Sequence, residues 1–123
     1  MVKRTPKEIV HAYLDAIAAR DFAGARTWLS DERFSTHSPI STFSSADAYI
    51  TDIARIGPIL ESVERRKTFV DGNDVCVILN YVTRMDARQV SPVVHWMQVA
   101  DDKIVYIETW FDARQYAAMF VIE

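Results

Sequence analysis

The chain has 123 residues, 50% of them hydrophobic and 25% charged, with a formal net charge of −3. That is the size and composition of one globular domain with a single core, and it excludes disordered and fibrous classes. Slight acidity argues against nucleic acid, and the one basic cluster, Arg65-Arg66-Lys67, reads as part of a solvated strand.

The opening MVKRTPKEIV lacks the apolar run of a signal peptide, and no later segment reaches membrane-spanning length. A soluble, cytoplasmic protein is expected. Thr5-Pro6-Lys7-Glu8 sets an N-cap, a proline at the first helical position and a glutamate that closes a capping box. Ile9, Tyr13 and Ile17 then recur at i, i+4 beside Val10 and Leu14, giving one apolar face. His11 falls on the flank of that helix and takes no role. Asp21 caps a second helix over residues 22–29, with Trp28 and Leu29 inward. Next comes RFSTHSP, residues 33–39, polar and hydroxyl-rich, read as a corner. Ser44 or Ser45 caps a third helix over 46–57, with Tyr49, Ile53 and Ile56 on one stripe, and Gly57-Pro58 stops it.

Beyond residue 59 the period changes. Residues 60–71, 74–86, 89–100 and 103–111 read as strands joined by short turns at Gly72-Asn73, Ala87-Arg88 and Asp101-Asp102. Short connections make neighbouring strands antiparallel, so an α+β meander is predicted. Asp112 caps a short final segment, ARQYAAMF. Cys76 lies in the apolar run DVCVILNYV, where an inert thiol is the default. VCVIL, VVHWM and IVYI are apolar at successive positions, so both sheet faces need cover: helices on one, and a second copy of the chain on the other. No spacing of His, Cys or Asp points to a metal, and no glycine-rich loop points to a phosphate cofactor, so none of either is expected.

Turn positions also set a register. Counting back from the three two-residue turns places Arg65, Asn80, His95 and Glu108 opposite one another as a polar row. Glu64, Tyr81, Val94 and Thr109 form the companion row.

Three helices and a four-stranded meander in this order resemble the nuclear transport factor 2-like superfamily, a cone-shaped α+β fold. The likeness is carried by IVHAYLDAIAARDFAGARTWLSDE, by HSP at residues 37–39 and by KIVYIETWFD. Within the superfamily the chain looks most like SnoaL-like proteins and ketosteroid isomerases. The resemblance implies a single SnoaL-like domain over residues 1–123, with three N-terminal helices packed on a curved antiparallel sheet, and the apolar outer face makes a homodimer the expectation. In the isomerases a tyrosine and a protonated Asp form an oxyanion hole and another Asp is the base. Tyr13 matches that tyrosine, Ser38 the base and Val94 the second donor, so both carboxylates are missing and steroid isomerisation by that route is not expected. Thr109 matches the acid of the SnoaL cyclases. The charged residues of limonene epoxide hydrolases have no counterpart.

The resulting candidate site has Tyr13 polarising a ligand oxygen and His37 transferring protons. Core tyrosine and strand-end cap stand as rival readings of those two residues. Trp28, Phe34, Ser38, Ile53, Tyr81, Val94, Trp96, Thr109 and Phe111 would line the cone, with the match turning Val94 and Thr109 inward and the polar row outward. The expected ligand is a small apolar organic molecule, carbonyl-bearing or polyketide-like, handled by an isomerase, cyclase or hydratase. The alternative is a non-catalytic binding or assembly module of the same fold.

Overall fold

Helix α1 (Pro6–Ala18) begins at a reciprocal cap. Thr5 Oγ1 accepts from the Glu8 N–H at 3.2 Å, and Glu8 Oε1 accepts from the Thr5 N–H at 2.9 Å. Ile9, Val10, Tyr13, Leu14 and Ile17 are buried, as the i, i+4 spacing requires. The helix ends in a Schellman arrangement: Arg20 sits at φ 60°, and the Asp21 N–H donates to the Ala16 carbonyl at 2.8 Å. The Arg20 guanidinium then donates to the carbonyls of Gly57 and Leu60, tying this corner to the start of the sheet. The computed structural model describes residues 4–114. Most of the C-terminal segment expected at residues 113–120 lies outside the described residues.

Helix α2 (Phe22–Arg26) is capped by Asp21, whose carboxylate accepts from the Gly24 N–H at 2.9 Å, and it is shorter than the span expected. Helix α3 (Ala46–Ala54) starts at Ser45, which accepts from the Ala48 N–H at 3.2 Å. A 3-10 turn, Gly57–Ile59, leads into the sheet. Among the described residues no helix is long and apolar enough to cross a membrane.

Four long strands form the expected meander: β3 (Leu60–Asp71), β4 (Asp74–Arg84), β5 (Arg88–Ala100) and β6 (Lys103–Phe111). RFSTHSP is not merely a corner. Its centre forms β1 (Ser35–His37), and β2 (Thr42–Phe43) pairs against it. The sheet runs β2-β1-β6-β5-β4-β3, with β1 parallel to β6, so it is mixed where an antiparallel one was expected. The reason is geometric: β1 leaves the helical layer and runs along the free edge of β6, whose N–H and C=O groups need partners. The curved sheet stays open.

The predicted rows break at three places, the first a bulge at Arg66 on β3 that sets Arg65 opposite Leu79. The β4–β5 connection has three residues, Met85, Asp86 and Ala87, because Arg84 pairs with Arg88. On β6, Val105 is an extra residue, a bulge between the pairs Gln98–Tyr106 and Val99–Ile104. His95 therefore opposes Val77 and Thr109, not Asn80 and Glu108. Each odd-numbered slip exchanges faces. The four-residue polar row dissolves. Arg65 turns to the helix side, where it donates to His11 Nδ1 at 2.8 Å and pairs with Asp15. Asn80 and Glu108 lie on the opposite face.

The core sits between helices and sheet, built from α1 side chains against Val75, Val77, Leu79, Met97 and Ile107. The other face keeps apolar groups in the open: Phe69, Trp96 and Trp110 are 53%, 37% and 52% exposed. Cys76, Ile78 and Val94 lie half-buried among them.

Candidate ligand pocket

The stripe Tyr49, Ile53 and Ile56 repeats at helical spacing, so α3 and the turn after it present one wall. Asp52, three residues after Tyr49, joins that wall. Facing it are inward positions of three strands: Tyr81 and Thr83 from β4, Ser91, Val93 and His95 from β5, Thr109 and Phe111 from β6. Ser38, Ile40 and Ser41, from the turn between β1 and β2, complete the enclosure together with Asp112. That turn is tight because the Ser38 hydroxyl accepts from the backbone of Ile40 and Ser41 at 3.3 and 3.2 Å. The cavity measures about 150 Å³ and its walls are mostly apolar.

Polar chemistry gathers at the sheet wall. His95 is only 3% exposed. Its Nε2 lies 2.9 Å from the Tyr81 hydroxyl and its Nδ1 2.8 Å from Thr109 Oγ1. Tyr81 reaches along the inner face to meet it, ring edge to ring face at 5.8 Å between centroids. Burial pushes the imidazole pKa down to about 4, so the ring is neutral near pH 7. A neutral imidazole has one N–H and one lone pair. One neighbouring hydroxyl must therefore donate to the ring. The other accepts from it and keeps its own proton for the cavity.

The helix wall carries a second pair. Tyr13 is buried beside Tyr49, and burial raises both phenols, Tyr49 to about 12. The nearby Asp52 carboxylate raises Tyr49 further. Tyr13 itself does not reach the cavity surface; Tyr49 stands between.

Of the residues expected at the site, Ser38, Ile53, Tyr81, Thr109 and Phe111 meet around the cavity. The rest do not. Val94 and Trp96 point to the outer face, because the slipped register puts Val93 and His95 inward. Phe34 is core, packed against the Tyr49 ring at 5.5 Å. Trp28 packs at the core edge beneath the Arg4 guanidinium, 5.1 Å from its ring centre. His37 is exposed on the outer side, opposite Glu108 and 3.4 Å from Thr42 Oγ1, with its ring 6.4 Å from that of Trp110. His95, Tyr49 and Asp52 were missed. Tyr49 and Asp52 share the Ile53 stripe, a signal available from spacing; His95 needed the bulge. Among the described residues no cluster of three His, Cys, Asp or Glu side chains could hold a metal.

Comparison with known proteins adds the family. A search of curated proteins gives no match. Among solved structures, an NTF2-like protein of unknown function from Cytophaga hutchinsonii superposes with a TM-score of 0.79 at 21% identity, covering 94% of this chain and 96% of that one. A putative SnoaL-like polyketide cyclase from Shewanella denitrificans gives 0.77 at 12% identity, with 92% and 94% covered. An LEH-like epoxide hydrolase from M. tuberculosis gives 0.76 at 20% identity, with 89% and 84% covered. At these identities the likeness is one of fold, cone-shaped and α+β. Residues 10–107 match the SnoaL-like domain, and the chain belongs to that family.

Proposed function

We propose that this protein binds a small, uncharged, oxygen-bearing organic molecule in the cone and acts on it by acid–base chemistry, as an isomerase, cyclase or hydratase. One observation carries the reading: an apolar cavity whose polar groups converge on Tyr81, His95 and Thr109. Apolar walls favour the ligand's carbon skeleton, while a hydroxyl with a proton to offer fixes its oxygen. Neutral groups at the sheet wall suit a carbonyl or hydroxyl better than an anion, which would lose its hydration without a counter-ion. In this reading Tyr13 acts indirectly, by orienting Tyr49, and His37 has no part in the pocket. The names of the structural relatives, a polyketide cyclase and an epoxide hydrolase among them, fit ligands of this class.

A binding module without turnover is the second reading, and one feature favours it. The carboxylates bordering the cavity are both engaged: Asp52 with Arg55 at 3.1 Å and Asp112 with Arg114 at 2.9 Å. Neither stands ready as a base. Thermal unfolding with cyclohexanone tests the shared part of both readings, because a ligand held only by the folded state raises the melting temperature. The expected result is a rise that Ile53→Trp, which fills the cavity, removes. An unchanged melting temperature at saturating cyclohexanone would refute a carbonyl-binding pocket.

A homodimer through the outer sheet face belongs to the same proposal. Phe69, Val94, Trp96 and Trp110 form an apolar surface that a second copy would cover.

A further inference from the structure

We infer that Tyr81, His95 and Thr109 form a neutral two-ended proton relay, and that the site takes molecules presenting a hydroxyl and a carbonyl together: hydroxy-aldehydes, hydroxy-ketones and their cyclic hemiacetals. The inference rests on the pocket reading above and specifies its substrate class.

Three geometric facts support it. The imidazole is bonded at both nitrogens, to different hydroxyls, at 2.9 and 2.8 Å. Both hydroxyl residues also border the cavity, one on each side of His95's strand. The two hydroxyls are not equivalent at any instant, because the tautomer decides which of them donates outward. A single ligand touching both therefore meets one donor and one acceptor. Reversing the tautomer reverses the two roles. A plain ketone uses half of such a device, whereas a ligand with a hydroxyl and a carbonyl uses all of it.

Ring closure of a hydroxy-aldehyde shows the balance. The relay starts with the Thr109 O–H donating to Nδ1, the Nε2–H donating to the Tyr81 oxygen, and the Tyr81 O–H donating to the ligand carbonyl. The ligand hydroxyl oxygen attacks the carbonyl carbon, forming a C–O bond and breaking the C=O π bond. Its proton passes to Thr109 Oγ1, and the proton Thr109 held passes to Nδ1. The Nε2 proton passes to Tyr81, and the proton Tyr81 held passes to the former carbonyl oxygen, now the hemiacetal hydroxyl. No group becomes charged, and no oxidant or reductant is needed. The ring ends as the Nδ1–H tautomer, and ring opening runs the same path backward. His95 is thus a positioning residue that hands protons between the two hydroxyls touching the ligand. Its low basicity, a defect for a conventional base, suits a ring that never ionises.

The probe is oxan-2-ol, the cyclic hemiacetal of 5-hydroxypentanal, small enough for a cavity of about 150 Å³. Magnetisation exchange between its ring-closed and open-chain NMR signals reads the rate directly. Wild-type protein is expected to accelerate that exchange, and His95→Gln, which keeps hydrogen bonds of one fixed polarity, to lower the acceleration by ~10²-fold while the probe still binds. Imidazole ¹⁵N shifts of the wild type, expected to move between the two neutral tautomers as the probe is added, test the relay independently of any variant. Should His95→Gln not fold, Thr109→Val removes one end of the relay at nearly constant volume and is expected to abolish acceleration likewise. Binding without acceleration, or a single tautomer unmoved by the probe, would overturn the relay and leave the pocket reading intact. Failure of the probe to bind at all would overturn both.

Discussion

The Tyr81 hydroxyl and His95 Nε2 lie 2.9 Å apart, and with His95 only 3% exposed the phenol takes the place of water at that nitrogen. Removing the hydroxyl in Tyr81→Phe keeps the ring packing and strands one imidazole nitrogen. The expected cost is ~1–3 kcal/mol, the penalty for a buried polar group without a partner. Urea unfolding measures it; a loss below a few tenths of a kcal/mol would mean that the nitrogen finds water or another donor.

The same burial makes stability depend on pH. His95 titrates at about 4 when folded and near 6.5 when unfolded. Between those values the unfolded chain holds a proton that the folded one refuses, so unfolding gains as pH falls. The contribution is complete above pH 6.5 and disappears as pH drops through about 4, up to ~3 kcal/mol in all. His11 is shifted down as well, first by burial and then by Arg65, and acts in the same sense. Comparing wild type with His95→Gln at pH 7 and pH 4.5 isolates the buried ring: the variant is expected to show the shallower acid slope. Equal slopes would show that His95 ionises freely in the native state.

Orientation predicts which aromatic and imidazole groups matter to ligand. His37→Ala and Trp96→Ala alter the outer face only, and are expected to leave the cyclohexanone-induced rise in melting temperature unchanged. Ile53→Ala and Thr109→Val alter cavity walls and are expected to shrink it. The reverse pattern would place the ligand on the other side of the sheet.

Self-association is the expected fate of that outer face. Trp110, 52% exposed, stands beside Val94 on the neighbouring strand. Light scattering at micromolar concentration is expected to give twice the chain mass for the wild type and a single chain mass for Trp110→Asp. A wild-type monomer would sink the dimer.

Much of this architecture was legible before any coordinates. Thr5, Glu8 and Pro6 announce the first helix through chemistry confined to one turn of chain. Asp101 and Asp102, both at positive φ, mark their hairpin because few residues tolerate that conformation. Two kinds of feature were not legible. Strands of two and three residues, such as β1 and β2, are too short for a period to show. The extra residue Val105 has no signature of its own, since a bulge answers to the twist of the whole sheet. That one uncounted residue helped send Val94 inward and His95 outward in the sequence reading, the reverse of what is found. Errors of register are errors of parity, and a site built on alternate positions inherits them whole.

Val105 has a wider consequence. Two chemically opposite residues, Glu108 and Thr109, stand side by side on β6, and the bulge decides which of them meets His95. Were Val105 paired in the ladder instead of bulged, every later residue of β6 would move one place along β5, bringing a carboxylate beneath the imidazole and carrying the threonine out to the surface. One step of pairing thus separates a neutral hydroxyl site from an acid–imidazole pair, without a single substitution. A scaffold of this kind can change which side chain meets the imidazole through its strand register rather than through point mutation, and an alignment that scores β6 column by column would overlook the event.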